Sequence, residues 1–280
     1  LDQEVLDTQP DEVETLLIVL KEIDVKTALS KSKLRELDYS LNPYYGCQFS
    51  CLYCYARKFT PHEEASNRWG EVIVVKRNLV EVLLKEVQRV RRGTVGLSTI
   101  TDPYQPVEGS RLLTRRSLEI LLSKDFRVSI QTKSPLVLRD LDVLVRHRER
   151  VDVGFTVTTL REEVWRRLEP GAPGPKARIE ALKRLSGEGI DTWLFMGPVI
   201  RGMNDGEVRD IIVLAGEIGT RIVYDKFNEY GISLGLRGDK GWWEAKEREI
   251  LRSCEEVGIE CHSEVEDWIH EERRRFLPLF

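Results

Sequence analysis

The sequence predicts an α/β fold in which a parallel sheet is assembled one strand, loop and helix at a time. Three observations predict it. From Tyr39 onward, short apolar runs alternate with amphipathic stretches whose apolar residues recur every three or four positions. Such alternation implies parallel strands, because each crossover helix returns the chain to the same edge of the sheet. No internal repeat, low-complexity tract or linker divides the core, and 280 residues fit within one α/β barrel.

In chain order, residues 1–38 form an N-terminal extension, acidic at first and basic at its end, with one β-like run at Leu16 to Leu20. The core spans 39–230. Its strands are expected at Tyr39–Leu41, Val95–Ile100, Arg127–Thr132, Val151–Val157, Thr192–Val199 and Arg221–Phe227. Helices are expected between and after them, at Leu79–Val90, Arg115–Leu122, Leu138–Arg146, Pro175–Leu185 and Glu207–Ile218. Val72–Val75 is a further strand-like piece expected beside the first unit. A C-terminal extension, 231–280, packs on the core with a helix at Trp242–Val257 and a short apolar segment at Ile259. The Pro/Gly stretch from Pro170 to Pro175 reads as a functional loop after the fourth strand.

Hydrophobic residues at 41% and charged residues at 32% suit a soluble globular chain with a sizeable core. A net charge of −4 gives no global attraction to nucleic acid or an anionic membrane. Local arginine groups (Arg89, Arg91 and Arg92; Arg146, Arg148 and Arg150; Arg273, Arg274 and Arg275) fall near helix ends, where cations complement the helix dipole. They leave nucleic-acid binding in a local groove open. No apolar run is long enough to span a bilayer and no signal pattern opens the chain, so a cytoplasmic location without a membrane partner is expected. Five cysteines make a poor disulfide framework for this length. They are expected as thiols, with Cys254 a small buried hydrophobe and Cys261 either buried or lining the pocket as a hydrogen donor.

Cys47, Cys51 and Cys54 lie together in the loop that follows the first strand, where a βα barrel gathers its chemistry. Three thiolates can each hold one iron of a cubane and leave the fourth iron without a protein ligand. Pro43 and Gly46 would shape the loop so that the sulfurs converge. Spacing alone also permits a zinc site completed by His62, or buried inert thiols.

The spacing C-x3-C-x2-C, with Tyr53 before the last cysteine, resembles the radical SAM signature. The surrounding NPYYGCQFSCLYCYAR resembles the branch related to spore photoproduct lyase. The resemblance continues through Thr101 to Pro106, Thr132-Lys133-Ser134, Arg167 to Pro170 and Pro198 to Gly202, covering roughly residues 25–230. It implies a partial parallel (βα)6 TIM-like barrel, a 4Fe-4S cluster on Cys47, Cys51 and Cys54, and S-adenosylmethionine (AdoMet) at the open iron. It further implies that Tyr53 lies beside the adenine, Ser98 and Thr99 near the methionine amino group, and Lys133 facing the AdoMet carboxylate or ribose. Thr156, in preference to Thr158, would meet the ribose hydroxyls. Ile200 would cover the adenine within a segment that departs from the family pattern, with Pro198 in place of a glycine and Asp205 in place of a glutamate. Glu169 and Arg178 either reach this site or form a surface ion pair.

The implied activity is reductive cleavage of AdoMet to a 5'-deoxyadenosyl radical that abstracts hydrogen from an unknown substrate. Asp102, Tyr104, Gln105 and Glu108 are the substrate-pocket candidates, and a flavodoxin- or ferredoxin-type protein is the expected electron donor. Literal photoproduct repair is disfavoured, because the family's hydrogen-donating cysteine is absent from the second strand, where Leu97 and Ser98 stand. A lyase-like DNA-repair enzyme, a non-catalytic iron–sulfur or zinc module that binds nucleic acid, and an activase acting on a partner protein remain alternatives.

Overall fold

The computed structural model describes residues 18–231, 234 and 238–263. The third arginine group, Arg273 to Arg275, and Leu16 lie outside them. Strands β1 (Val19–Ile23), β2 (Ser30–Lys31), β3 (Tyr39–Leu41) and β4 (Tyr44–Tyr45) come first. Helices α1 (Ala56–Phe59) and α2 (Glu63–Asn67) lead to β5 (Val72–Lys76) and α3 (Leu79–Glu86). Next come β6 (Thr94–Leu97), α4 (Glu108–Arg111), α5 (Leu113–Ser123) and β7 (Arg127–Thr132). A 3-10 turn at Pro135–Asp140 runs into α6 (Leu141–Arg146), followed by β8 (Val151–Thr156), α7 (Glu162–Leu168) and α8 (Pro175–Gly187). Strand β9 (Asp191–Val199), α9 (Val208–Ile218), β10 (Arg221–Lys226), α10 (Lys240–Val257) and β11 (Cys261–Ser263) complete the described chain.

The main sheet is ordered β11-β10-β9-β8-β7-β6-β3-β2 and is parallel throughout except where β2 meets β3. It is an open sheet whose two ends do not pair with each other among the described residues. The six expected strands are all present within it. The tail adds a further parallel strand, β11, which sequence reading reduced to an apolar segment at Ile259. Alternation along each strand sorts the side chains. Val128, Ile130, Val153, Phe155, Leu194 and Met196 join the large core shared with Leu83, Leu118, Leu182 and Ile212 of the helices. On the other face Leu37, Trp193, Phe195 and Val223 make a smaller cluster. Strands buried on both faces need no polar alternation, and all six residues of β8 are buried.

Two expectations are corrected. Val72–Val75, expected beside the first unit, does lie there against β4 but not in the main sheet: as β5 it is the centre of a separate sheet, β1-β5-β4, parallel to β1 and antiparallel to β4. The reason is β4, a two-residue strand directly before the cysteine loop, which pairs Tyr44 with Val75 and Tyr45 with Val74. Cys254 and Cys261 are not thiols but a disulfide, with Cα atoms 6.2 Å apart. Gly258, left-handed at φ 77°, ends α10 and reverses the chain so that residues seven apart meet. Cys254 is buried as expected. Of the arginines at helix ends, Arg92 donates to the carbonyls of Val87 and Val90 just beyond α3, a capping role. Among the described residues no helix is long and apolar enough to cross a membrane.

Candidate active site

The cysteine loop follows β3 and β4 and is tied down on both sides. Asn42 Oδ1 accepts from the N–H groups of Thr99 (2.9 Å) and Ile100 (3.0 Å), linking it to the loop after β6. Gly46 adopts φ 79°, and a Cβ there would lie 2.3 Å from the Val72 carbonyl oxygen. Its own carbonyl accepts from Thr101 Oγ1 (2.6 Å) and Gln105 Nε2 (3.2 Å). Gln105 Oε1 accepts from the Gln48 N–H (2.9 Å), and Gln48 Oε1 accepts from the Val107 N–H (2.7 Å). On the far side, the Leu52 N–H donates to Leu168 (2.9 Å) and the Gly171 N–H to Phe49 (3.2 Å). Gly171 is needed for that approach, since a Cβ there would stand 2.3 Å from the Gln48 carbonyl oxygen. The Pro170–Pro175 stretch thus serves the cysteine loop directly.

Cys47, Cys51 and Cys54 are free and border one cavity. Its other walls include Ser98, Thr99, Asp102, Gln131, Lys133 and Thr156, contributed by the carboxyl ends of β6, β7 and β8. Burial pushes the Cys51 thiol up to about 12, against the pull of the Lys133 ammonium. Burial, then the Asp102 carboxylate and the other two sulfurs, hold Cys47 well above the usual thiol range, and burial raises Cys54. Such thiols stay protonated until a metal displaces the protons. Among the described residues no group of three or more His, Cys, Asp or Glu side chains, these three cysteines included, is gathered closely enough to hold a single metal ion. His62, the zinc alternative, instead caps α2 by accepting from the Ala65 N–H through Nδ1. Ser98, at φ 70°, carries a buried hydroxyl with no hydrogen-bond partner at the cavity wall. A donor set of three thiols with an unsatisfied hydroxyl and a lysine beside them fits a cluster that leaves room for a polar ligand.

Lys133 follows β7 and is 15% exposed at its side chain, with Nζ 3.9 Å from Glu169 and 5.6 Å from the Tyr53 ring centroid. Burial works against its charge, yet Cys51 and Glu169 keep its pKa above the ordinary lysine value. Glu169 and Arg178 are paired at 1% exposure each, so the surface-pair reading is overturned: this is a buried ion pair. Burial opposes the Glu169 charge, but Arg178 and Lys133 hold its carboxyl below the ordinary range. The Tyr53 hydroxyl donates to Glu169 and lies 3.0 Å from Thr158 Oγ1, which in turn reaches Glu169 at 2.9 Å.

The expected residues therefore divide. Ser98, Thr99, Lys133 and Thr156 line the cavity with the cysteines, whereas Thr158 is spent in the network behind it. Tyr53 and Ile200 pack together in the apolar cluster that backs the cysteine loop. Of the substrate candidates only Asp102 reaches the cavity. Tyr104 is wholly buried in the main core, Gln105 is the loop clamp described above, and Glu108 accepts from Tyr44, Arg139 and the Thr114 N–H at the start of α5. Gln131 went unpredicted. It borders the cavity and donates to Thr156 Oγ1 at 3.2 Å, and its place two residues before Lys133 on the same face of β7 was the available signal.

The model of the radical SAM superfamily matches residues 41–215. An uncharacterised protein of Methanocaldococcus jannaschii is 35% identical over 190 residues, covering 68% of this chain and 71% of that protein. An uncharacterised protein of Mycobacterium tuberculosis is 32% identical over 245 residues, covering 81% of this chain and 68% of that one. Among solved structures, spore photoproduct lyase complexed with dinucleoside spore photoproduct superposes with a TM-score of 0.65 at 18% identity, over 88% of this chain and 81% of that chain, a likeness of fold.

Proposed function

This chain belongs to the radical SAM superfamily, and from that premise we propose that Cys47, Cys51 and Cys54 hold its 4Fe-4S cluster and that the adjoining cavity takes AdoMet. Membership makes the protein an enzyme that uses both cofactors. When bound, they supply one-electron cleavage of AdoMet to a 5'-deoxyadenosyl radical for hydrogen abstraction. The observation that carries the residue assignment is the shared cavity: three thiols, an unsatisfied serine hydroxyl and a half-buried lysine on one set of walls.

The chain's own residues have separable tasks. Lys133 presents an ammonium to the AdoMet carboxylate or ribose, and Ser98 and Thr99 offer oxygens to its amino group. Thr156, held by Gln131, serves the ribose. Tyr53 and Ile200 form the apolar backing against which the adenine side is packed. Asp102 is the one substrate candidate retained; Gln105 and Glu108 position the loop, and Tyr104 is part of the main core. We read β3 and β6 to β10 as the six strands of a partial barrel, with 39–230 as the catalytic unit. A cytoplasmic setting and a flavodoxin- or ferredoxin-type donor suit an oxygen-sensitive cluster.

The decisive experiment is anaerobic. The protein is reconstituted with iron and sulfide, given AdoMet and dithionite, and assayed for 5'-deoxyadenosine by mass spectrometry, with Cys51→Ala as control. Product from the wild type and none from the variant is expected. Iron retention without AdoMet binding would instead favour a non-catalytic metal module. A lyase-like reaction on a nucleic-acid lesion is the second reading, favoured by the fold shared with spore photoproduct lyase. Against literal repair, β6 and the two residues after it contain no cysteine.

A further inference from the structure

We infer that Lys133 raises and Asp102 lowers the reduction potential of the cluster held at the cavity that both residues line. The inference rests on the assignment of Cys47, Cys51 and Cys54 as its ligands.

Both charged residues line the cavity. Asp102 accepts from Thr132 Oγ1 (2.7 Å), the Lys133 N–H (2.8 Å) and the Tyr104 N–H (2.9 Å). Lys133 Nζ lies 3.9 Å from Glu169, beyond hydrogen-bond distance. Glu169 is already matched by Arg178, whose guanidinium also donates to the carbonyls of Pro173 (2.7 Å) and Thr156 (3.1 Å). The Lys133 ammonium is therefore the surplus positive charge of that buried set.

A cluster on three thiolates is net negative and becomes more so when it accepts an electron. A fixed cation in a poorly solvated wall therefore stabilises the reduced form more than the oxidised form, and a fixed anion does the reverse. Hydrogen bonds and burial around the site shift the same quantity, but Lys133→Met removes a unit positive charge while keeping an apolar stem of similar length, and Lys133→Arg keeps the charge.

The test is a redox titration of the reconstituted full chain without AdoMet, with dithionite as reductant and the reduced cluster followed by electron paramagnetic resonance. The expected order is a midpoint more negative than wild type for Lys133→Met, a wild-type value for Lys133→Arg, and a more positive one for Asp102→Asn. A Lys133→Met midpoint equal to wild type overturns the inference, as does a Lys133→Arg midpoint as low as that of Lys133→Met. Should Lys133→Met hold no cluster, Asp102→Asn decides alone: a positive shift supports the inference, and an unchanged or negative one sinks it. Failure of the ligand assignment is seen elsewhere, as a wild type whose iron and sulfide content never reaches one 4Fe-4S cluster per chain.

Discussion

Lys76 is a charge buried without an acidic partner. It ends β5 at 7% exposure, its Nζ sits 4.0 Å from the Tyr45 ring centroid, and no carboxylate pairs with it among the described ion pairs. Burial lowers its pKa from 10.5 to about 8. The sign follows from proton counting. Between about 8 and 10.5 the unfolded lysine keeps a proton that the folded one has released, so stability rises with pH across that window. The gain has an upper bound on the order of 3 kcal/mol, reduced by the cation–π contact and residual solvent. We expect Lys76→Met to be more stable than wild type near neutrality and to lose the rise. Urea midpoints for both proteins at about pH 7 and about pH 10 would check this, and a parallel rise in the variant would refute it. Gln105 shows why single residues are hard to read from sequence. A polar side chain after a strand looks the same whether it faces a ligand or the backbone of another loop, and its partners, Gly46 and Gln48, lie 59 and 57 positions away. Lys133 was legible because its position at a strand end in a family motif fixes where it stands.

At the scale of elements, legibility tracks length and burial. Strands β3 and β7 fall on the residues their apolar runs marked, and β8, β9 and β10 differ by a residue or so at one end. β11 is three residues long and half-buried, and β4 only two, so neither carries a periodic signal. What fixes them is tertiary pairing. β11 in particular is held by Ile222, Val223 and Tyr224 of β10 on one side and by the disulfide to α10. The Cys254–Cys261 bridge closes a loop of only a few residues, for which chain entropy gives a stabilisation of about 2–3 kcal/mol. Its effect should be local. In Cys254→Ser/Cys261→Ser, hydrogen exchange should speed up in β11 and the last turn of α10 while β7 and β8 keep their protection. Equal acceleration across the whole sheet would show that the bridge supports the entire fold instead of one edge.

For the molecule as a whole, the question is whether the cluster is needed for folding. Small metal domains unfold without their metal because the ligands are most of their core. Here the two are separate. The main core joins the sheet to its helices, and the three cysteines belong to a smaller cluster with Phe49, Tyr53, Leu168 and Ile200. The loop itself is tied by hydrogen bonds to β6's following loop, to the Gln105 turn, and to the Leu168–Gly171 segment. Stripping iron anaerobically with a chelator should therefore leave far-UV circular dichroism and a single cooperative thermal transition intact. The loss should appear in the cavity instead. Without iron, the side chains of Cys47, Cys51 and Cys54 lose their common partner, and the buried charges of Lys133 and Asp102 face a cavity without a cluster. Faster labelling of the three thiols and faster exchange over residues 42–55, at unchanged protection in β7 to β9, is the expected pattern. A chain that instead loses cooperativity on chelation would place the cluster inside the folding core, and the loop anchors described above would then be consequences of cluster binding instead of its preparation.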